Sequence, residues 1–554
     1  MFRTNVQILG RARAPRFPVS CRVAVLGGGL AGTATAARLQ AAGLSTAVIE
    51  AHGHAGGCAG YYRRRGFSFD VGATTMVDFE PGGVGAELLD AIGMDPVPGE
   101  PLPGYVAWLP DRTVTLHRDT AAWHRERLRA FGDTPRHRAF WAELDRIAEV
   151  FWDASRAGVR LPLRRPSDVL HDLRALGPRN LPLVRHINAT LGDLLARHGL
   201  RGDAPLVGLL SMLVEDTVHS TVDRAPLINA ALGVTIRGAG LTRAEGGMRG
   251  FWRRFLAHYR SMGGQLHVGC AVERVLGRAG AFEVHTRRGI VYAEQVVSAL
   301  PVETTLRVVP ALAPRLRPYV ERDRDDLGGA VAVFLGVPEG EVAGQEFTHH
   351  QLLQDYDRPL GDGNNMFVSV SAPGDTESAP PGHRAVMIST HTELAAWEGL
   401  TETAYEKRKQ EMGERLVGYA RRVHPGLGER AVVWDVGTPR SYERFGFRPR
   451  GAVGGVRQTP RNANRHAVPH SLGVPGLWLV GDSTWPGLGT VACALGSRIV
   501  ADAVLGHARR SARGTAGTRT AGTGAAGTGA EAAVGAGATR RKVSHEATPR
   551  AGVR

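Results

Sequence analysis

A short strand that ends in a cluster of glycines and leads directly into a helix constrains this chain more than any other feature of its sequence. The apolar run 22–26 (RVAVL) precedes Gly27-Gly28-Gly29-Leu30-Ala31-Gly32, and an Ala-rich helical pattern continues to about residue 42. In a G-x-G-x-x-G turn the first glycine permits the tight turn, the second lets backbone approach a pyrophosphate, and the third allows close helix–strand packing. Unpaired N–H groups at the helix start attract phosphate. The sequence therefore predicts a dinucleotide-binding turn.

An acidic residue at the end of the next apolar run strengthens this prediction. Residues 44–50 (LSTAVIE) have the pattern of a second strand, and Glu50 lies 21 residues after Gly29. A carboxylate at this place accepts hydrogen bonds from the hydroxyls of an adenosine ribose. Strand, helix and strand in this order form a βαβ unit, which indicates an α/β fold with a parallel sheet.

Two further glycine-containing segments extend the predicted nucleotide site. Their candidate residues, in chain order, are Gly56, Gly57, Gly481, Asp482, Gly489 and Thr490. Asp482 follows an apolar strand pattern, where its carboxylate can hold ribitol or pyrophosphate-linked oxygens. The helix that starts near Gly489 and Thr490 can direct its dipole toward a flavin ring. Contacts from segments more than 400 residues apart suit the long FAD molecule better than NAD. We therefore expect FAD.

The charge of the chain lies mainly at its two ends. The formal net charge is +15, of which residues 1–22 carry +5 and residues 507–554 carry +7, so that the body is nearly neutral. Solvated basic tails explain this better than nucleic-acid binding, and the ends can also attract an anionic membrane surface. The four cysteines are far apart with no CxxC pair, which suits a reducing cytoplasm and indicates no metal site. The sequence contains no run of about 18 apolar residues, so it predicts no membrane-spanning helix.

Several longer motifs resemble the FAD-dependent carotenoid desaturase and isomerase family, phytoene desaturase-like enzymes within the amine-oxidase-like flavoproteins. They are VAVLGGGLAG (23–32), GGCAGYYRRRGFSFDVGATT (56–75), EGGM (245–248), VVSALP (296–301) and GLWLVGDSTWPGLGT (476–490). The segments FEPGG (79–83), TPRSYERF (438–445) and GAVGG (451–455) are similar to the 3,4-desaturase subgroup, which acts on acyclic or hydroxylated carotenoids. The resemblance covers residues 22–506 and neither tail.

The resemblance implies non-covalent FAD, a long apolar polyene substrate and a peripheral position on a membrane. It assigns FAD contacts to Gly27, Gly29, Gly32, Glu50, Gly56, Gly57 and Asp482. It also implies that the backbone of Val272 faces the adenine. One position departs from the pattern, because Cys58 stands where many relatives have arginine, and Arg63, Arg64 or Arg65 is a candidate to replace it near the phosphates.

We therefore expect a Rossmann-like FAD-binding domain of the amine-oxidase type, a discontinuous mixed α+β substrate domain and a helical region for membrane contact or substrate access. The FAD-binding domain is predicted to comprise residues 22–80, 241–305 and 435–508. The substrate domain is predicted to comprise residues 81–240 and 306–434. Residues 1–21 are predicted to form a flexible basic arm and residues 509–554 a disordered tail, since large apolar residues are scarce there.

The sequence assigns no catalytic residue. The acids near apolar or family-like segments are Asp70, Glu80, Glu215, Asp216 and Glu245, and for each a structural role is favoured. Trp485, beside a glycine-rich turn, is equally compatible with core packing and substrate contact. The strongly apolar run 205–214 (PLVGLLSMLV) favours an ordinary buried helix over a tunnel wall or a membrane-facing surface.

Four functions remain open on the sequence. The favoured one is FAD-dependent desaturation of a carotenoid-like polyene by hydride transfer to flavin N5, in the cytoplasm at the inner face of the cell membrane. A redox-neutral cis–trans isomerase that uses reduced FAD is the next. An amine-oxidase-like enzyme and a non-catalytic lipid-binding protein of the same fold are the others. The particular polyene, the electron acceptor and the oligomeric state are not determined.

Overall fold

The strands are numbered along the chain in a computed structural model that describes residue 17, residues 19–164 and residues 166–521, with side chains to residue 511. They are β1 Val19–Leu26, β2 Thr46–Ile49, β3 Tyr61–Arg64, β4 Phe67–Asp70, β5 Met76–Val77, β6 Gly99–Pro101, β7 Gly104–Trp108, β8 Thr113–His117, β9 Leu241–Ala244, β10 Gln265–His267, β11 Val272–Arg278, β12 Ala281–Thr286, β13 Gly289–Ser298, β14 Gly329–Pro338, β15 His349–Leu353, β16 Asn365–Val370, β17 His383–Thr392, β18 Val433–Gly437 and β19 Leu477–Leu479.

The helices are numbered in the same way. They are α1 Leu30–Ala41, α2 Val84–Ile92, α3 Thr120–Phe131, α4 Pro135–Arg156, α5 Pro166–Leu176, α6 Leu191–Arg197, α7 Ala204–Val218, α8 Leu227–Val234, α9 Gly247–Ser261, α10 Val302–Val308, α11 Ala313–Asp323, α12 Glu402–Ala420, α13 Pro439–Gly446 and α14 Thr490–Ala521. Short 3₁₀ segments cover Gly57–Ala59, Pro178–Asn188, Pro310–Leu312, Glu339–Glu341, Leu394–Trp397, Pro449–Gly451 and Asn464–His466.

The first sheet is built around β1, which has strand partners from distant parts of the chain on both sides. Its strand order is β10-β2-β1-β13-β12-β11, and β19 pairs with the last residues of β13. β10, β2, β1, β13 and β19 are parallel to one another, whereas β11 and β12 are antiparallel additions. The carboxyl ends of the parallel strands therefore meet at one edge, where Gly27, Glu50 and Ala299 directly follow their strands. Ligands of open α/β sheets bind at this edge.

The second sheet has the order β18-β14-β17-β16-β15-β7-β8 and is antiparallel apart from the β15–β7 pair. Its central strands β14 and β17 pair along ten residues each, from Gly329 opposite Thr392 to Pro338 opposite His383. Helix α12 contributes Met412, Leu416 and Val417 to the core that forms against β14 and β17. This sheet has its own hydrophobic core and supplies the wall opposite the first sheet's carboxyl edge.

The two sheets take their strands from different stretches of the chain. Strands of the first sheet lie in residues 19–49, 265–298 and 477–479, and those of the second sheet lie in residues 104–117 and 329–437. The described residues up to Gly506 nevertheless form one compact unit, and those from His507 to Ala521 belong to another. The division of the body into an FAD domain and a substrate domain therefore stays a prediction.

The helical middle of the chain, including α3, α4 and α6 to α8, forms a separate apolar core. The run 205–214 lies in α7, where Leu206, Leu209, Leu210 and Leu213 are fully buried. The side chain of Asp203 caps this helix by accepting a hydrogen bond from the backbone N–H of Leu206 at 3.1 Å. The expected buried helix is therefore observed, and this run provides no membrane-facing surface.

The described strands and helices extend past two predicted boundaries at the chain ends. β1 begins at Val19, inside the predicted arm, because β13 offers a parallel partner on which Val19 and Cys21 become buried. α14 continues through residues 509–521, inside the predicted tail, as an extension of an existing helix, which needs no new nucleation. The remainder of both predicted segments, residues 1–16 and 522–554, lies outside the described residues.

Among the described residues, one helix is long and apolar enough to cross a membrane by length and composition, whereas the sequence predicted none. It is the part of α14 from Thr490 to Ser511, and half of its apolar window is buried inside the protein. Ala494, Leu495 and Val500 are buried in the core, and the hydroxyl of Ser497 accepts a hydrogen bond from Arg38 of α1 at 3.1 Å. These contacts are those of a core helix.

The burial of α7 predicts a strong dependence of stability on its leucines. Leu210→Ala, which removes a fully buried side chain, should lower the free energy of unfolding by about 2 to 5 kcal/mol. Leu170→Ala in α5 is the control, because Leu170 is 50% exposed and its loss should change stability by at most about 0.5 kcal/mol. Urea unfolding measures both values, and equal effects would contradict the assignment of α7 to the core.

Candidate active site

A cavity of about 560 Å³ lies at the carboxyl edge of the first sheet and extends to the second sheet. Every predicted cofactor residue except Gly28 lines it: Gly27, Gly29, Leu30, Ala31, Gly32, Glu50, Gly56, Gly57, Val272, Gly481, Asp482, Gly489 and Thr490. On the side of α7 and the second sheet, the lining includes Met212, Gln351, Met366, Phe367 and His391. The fold thus brings the three predicted nucleotide segments together, and their contact with a cofactor stays a prediction.

The glycines of the first turn have different physical roles. Gly27 has a φ of +99° and donates its N–H to the carbonyl of Ile49 at 2.8 Å, so it makes the tight turn. A Cβ on Gly32 would lie 2.3 Å from the carbonyl oxygen of Gly27, so this residue allows the close packing of α1. A Cβ on Gly29 would have only the Cα of Gly57 within 4 Å, at 3.9 Å. The space beside Gly29 is open for a ligand.

Glu50 is held rigidly at the end of β2. One carboxylate oxygen accepts the N–H of Gly28 and the other accepts the N–H of His52, both at 2.6 Å. Burial raises the pKa of the Glu50 carboxyl, and the donors from His52 and Gly28 oppose that rise. Each oxygen keeps a second lone pair, and the side chain faces the cavity, which suits acceptance of ribose hydroxyls. The carboxylate covers Gly28, which explains why Gly28 is absent from the cavity lining.

The second glycine pair packs directly against the first turn. The N–H of Gly56 donates to the carbonyl of Gly28 at 2.9 Å. Gly56 and Gly57 have φ values of +148° and +56°, and a Cβ on Gly56 would lie 2.5 Å from the Cα of Gly60. Both positions therefore require glycine, and the two turns together present bare backbone to the cavity.

The far end of the chain supplies charged and dipolar groups. α14 begins at Thr490, whose hydroxyl accepts the N–H of Val77 at 3.0 Å, and its free N–H groups lie at the cavity wall. Asp482 follows β19 and forms an ion pair with Arg448 at 2.9 Å. Arg448 also lines the cavity. The site thus contains a carboxylate and a guanidinium cation side by side where ribitol and phosphate oxygens are expected.

Arg448 is a functional candidate that the sequence analysis missed. Arg64 instead pairs with Asp435 of β18, and Arg65 donates to the carbonyl of Val432 at 2.8 Å, so these two do not replace the missing arginine at Cys58. The only signal for Arg448 is its position three residues after the segment TPRSYERF. Its proximity to Asp482 arises from the return of the chain between α13 and β19.

The acids of the sequence analysis fall into two groups. Asp70, Glu80 and Glu245 have the expected structural roles, since they pair with Arg243, Arg118 and Arg254. Glu215 and Asp216 form the second group, and their favoured structural role stays a prediction. Glu215 accepts a hydrogen bond from Asn365, and Asp216 accepts one from Gln351 at 3.1 Å. Asp216 also lines the cavity, because the last turn of α7 carries this side chain out of the helical core.

The structure also shows the surroundings of Trp485. Trp485 is buried, and it is not among the residues that line the cavity, so core packing is the observed role. Within the residues that the structure describes, no group of three or more His, Cys, Asp or Glu side chains is arranged to hold a metal ion.

The chain belongs to the family of flavin containing amine oxidoreductases, whose model matches residues 30–505. It is 25% identical over 492 residues to the chloroplastic prolycopene isomerase of Daucus carota, covering 85% of this chain and 77% of that protein. It is 21% identical over 519 residues to a 4,4'-diapophytoene desaturase (4,4'-diaponeurosporene-forming) of Staphylococcus aureus, covering 87% of this chain and 98% of that protein. These are relatives at modest identity.

Its fold is shared with solved flavoproteins. The cyclohexylamine oxidase of Brevibacterium oxydans aligns with a TM-score of 0.55 and 15% sequence identity, over 87% of this chain and 98% of that chain. The expectations of an amine-oxidase-type α/β fold and of FAD as the cofactor are thereby confirmed. The protein is an FAD-dependent oxidoreductase.

The residues present fit FAD. The open space at Gly29, the backbone of the paired glycine turns and the start of α14 suit the pyrophosphate, and Glu50 suits the ribose. Asp482 and Arg448 suit ribitol and phosphate oxygens. When bound, FAD supplies a two-electron acceptor for hydride.

The geometry of the first turn predicts opposite consequences for two of its glycines. Gly29→Ala should keep the fold, because Gly29 has an ordinary φ of −71° and open space beside it, but its methyl group would occupy the place of the pyrophosphate. FAD affinity should fall by at least about tenfold. Gly32→Ala should instead destabilise the protein by about 1 to 3 kcal/mol, because its Cβ would overlap the Gly27 carbonyl.

The measurements for this pair are flavin titration by fluorescence quenching and urea unfolding of the flavin-free protein. A Gly29→Ala protein that retains flavin like the wild type would show that Gly29 does not face the cofactor.

Proposed function

We propose that this oxidoreductase desaturates a carotenoid or a similarly long apolar polyene. The observation that carries the proposal is the single cavity that joins the flavin-binding glycine turns to apolar side chains of α7 and the second sheet, among them Met212, Met366 and Phe367. The named activities of the Daucus and Staphylococcus relatives support a polyene substrate.

The chain contributes positioning and exclusion of water to such a reaction. The apolar wall of α7 and β16 offers a long hydrocarbon a dry surface beside the predicted flavin site. A polyene held there needs no activating nucleophile, because its conjugated chain delocalises the charge that hydride loss creates. Binding geometry therefore accounts for a large part of the proposed catalysis.

A redox-neutral cis–trans isomerase is the second candidate. It is favoured by the Daucus relative, which is named as a prolycopene isomerase. An amine oxidase is supported only by the family's name and by the shared fold. A non-catalytic lipid-binding protein is disfavoured, because Glu50, both glycine turns and Asp482 all line the cavity.

The mass of the product distinguishes these candidates. We expect the purified yellow protein, given an acyclic polyene in detergent micelles and an electron acceptor, to form a product lighter by two hydrogen atoms for each new double bond. Protein stripped of flavin is the control and should form none. A product of unchanged mass but different chromatographic retention would identify an isomerase, and hydrogen peroxide formed from soluble amines would identify an amine oxidase. Mass spectrometry of extracted pigments provides the readout.

We also propose that the protein docks on an anionic membrane surface through one apolar patch, which we call the α5 patch. It consists of the large apolar side chains of α5 and its flanks that are at least 40% exposed: Leu163, Val169, Leu170, Leu173, Leu181 and Val184. Residues 163–185 contain five arginines and two aspartates, so the surroundings are basic.

A bilayer surface suits this combination better than water or an apolar protein partner. Exposed leucines near arginines are typical of helices that lie in the interface of anionic membranes, where the apolar side chains enter the acyl region and the basic ones meet the headgroups. Docking of this kind would place the protein beside its apolar substrate. We expect the protein to dock on the cytoplasmic face of the membrane. The support for this face is the cysteine pattern, which suits a reducing compartment.

Charge introduced into the α5 patch should weaken membrane binding. The double variant Leu170→Asp with Leu173→Asp should reduce sedimentation with phosphatidylglycerol vesicles at least about tenfold, since each buried leucine contributes about 1.5 to 3 kcal/mol. Leu276→Asp is the control, because Leu276 is exposed to a similar extent on β11. Unchanged binding would contradict the proposal, and a change of oligomeric state instead would assign the patch to contacts between copies of the chain.

A further inference from the structure

A carboxylate–imidazole pair lies at the wall of the cavity, where α7 meets the second sheet. His391, near the end of β17, places Nδ1 3.4 Å from a carboxylate oxygen of Glu215, in the last turn of α7. Asn365 of β16 donates a hydrogen bond to the same carboxylate oxygen. Glu215 therefore has partners on two elements, and it fixes the orientation of the imidazole ring.

The other ring nitrogen of His391 is free to meet a ligand. His391 lines the cavity and its side chain is 22% exposed. No hydrogen bond to Nε2 is formed by the part of the chain that the structure describes. A carboxylate on Nδ1 and an open Nε2 is the arrangement of a general base, because the carboxylate selects the tautomer and stabilises the imidazolium that forms.

A second imidazole stands beside the first and differs from it chemically. The rings of His219 and His391 meet edge to face, with centroids 4.6 Å apart. His219 follows α7 with a φ of +55°, and its Nδ1 is buried without a hydrogen-bond partner among the described residues. Burial lowers the pKa of His219 well below its ordinary value. Protons therefore bind His391 in preference to His219.

The other charged groups around His391 favour the same assignment. Burial lowers the pKa of His391, but the nearby Glu215 and Asp216 carboxylates outweigh burial and the charge of Arg457, so the net change is upward. Asp216 lies one residue from Glu215, accepts a hydrogen bond from Gln351 at 3.1 Å and faces the cavity. Arg448 acts on His219 and pairs with Asp482, and Arg457 pairs with Glu393 at 2.6 Å.

A purely apolar substrate gives no reason for such a cluster. Moving ionisable groups from water into a protein interior is unfavourable unless they are paired, and here they are only partly paired. A cavity that served only to hold a hydrocarbon would be more stable with apolar side chains at these places. The pair is therefore a candidate for a role in the reaction itself.

We propose that His391, positioned by Glu215, accepts the proton that the polyene loses when the new double bond forms. This inference rests on the proposed desaturase function. One C–H bond breaks with transfer of hydride, and thus of two electrons, to the oxidised flavin. The C–H bond on the neighbouring carbon then breaks, its electron pair becomes the new π bond, and its proton binds Nε2 of His391. The resulting imidazolium is stabilised by the Glu215 carboxylate at Nδ1.

The chain contains a matched pair of histidines that lacks these features. His350 and His424 also meet edge to face, with centroids 5.5 Å apart, but they do not line the cavity. Burial lowers the pKa of His350 to about 3 and that of His424 to about 4. A substitution of His424 therefore controls for the loss of a buried imidazole as such.

The test compares His391→Asn, Glu215→Gln and His424→Asn as flavin-loaded enzymes. His391→Asn should retain full flavin content and lose about 10²-fold or more in desaturation rate, the contribution typical of a general base. Glu215→Gln should shift the rising limb of the pH–rate profile to lower pH, because loss of the carboxylate lowers the pKa of His391. His424→Asn should leave rate and pH profile unchanged. If His391→Asn fails to bind flavin, Glu215→Gln still decides through its pH profile.

An NMR titration of histidine-labelled holoprotein provides a readout that does not need turnover. The imidazole signal that disappears in His391→Asn should titrate at a higher pH than an ordinary histidine, because burial is outweighed by the Glu215 and Asp216 carboxylates, which raise the pKa of His391, and it should move to lower pH in Glu215→Gln. If the wild type desaturates a polyene and His391→Asn is equally active, the inference is wrong. It is also wrong if the His391 signal titrates at the same pH in the wild type and in Glu215→Gln. A wild-type protein that holds flavin but desaturates no polyene would instead overturn the proposed function, whatever the titration shows.

Discussion

The parallel pairing of β1 with β2 on one side and β13 on the other is the constraint on which the rest of the structure depends. It aligns the carboxyl ends of strands that are separated by up to several hundred residues, so that Gly27, Glu50 and Ala299 emerge at one edge. β19 joins the same edge through the last residues of β13 and brings Asp482 with it. Without this alignment the glycine turns, the carboxylate and the start of α14 would not share a cavity.

The cavity combines two chemically different regions because two sheets contribute to it. The first sheet offers bare glycine backbone, a helix start and the Arg448–Asp482 pair, which together suit a charged dinucleotide. The second sheet and α7 offer methionine and phenylalanine side chains with the Glu215–His391 pair among them. One region therefore suits the cofactor, and the other is shaped to bring an apolar molecule and a proton acceptor to the same place.

The apolar pattern of a helix does not by itself determine whether the helix is buried or exposed. The run 205–214 and the leucines of α5 are both apolar helical segments, yet the leucines of α7 are fully buried and α5 leaves Leu170 and Leu173 exposed. Local pattern predicts that a segment is helical and apolar, but burial depends on what packs against it. The same reason explains α14, which has the length and composition of a membrane span and half of its apolar window inside the protein.

The sequence by itself determined the nucleotide-binding turn, the α/β class, the family and the cofactor, because these depend on short segments whose backbone conformation is set by neighbouring residues. Gly27, Gly32 and Glu50 could be assigned roles from spacing alone, and the structure places all three at the cavity. Only the tertiary structure decided that Arg448 meets Asp482, that Glu215 holds His391, and that Trp485 packs in the core. The two pairs join residues that are 34 positions apart for Arg448 and Asp482 and 176 positions apart for Glu215 and His391. No local spacing encodes such contacts, because they arise from how sheets and helices pack.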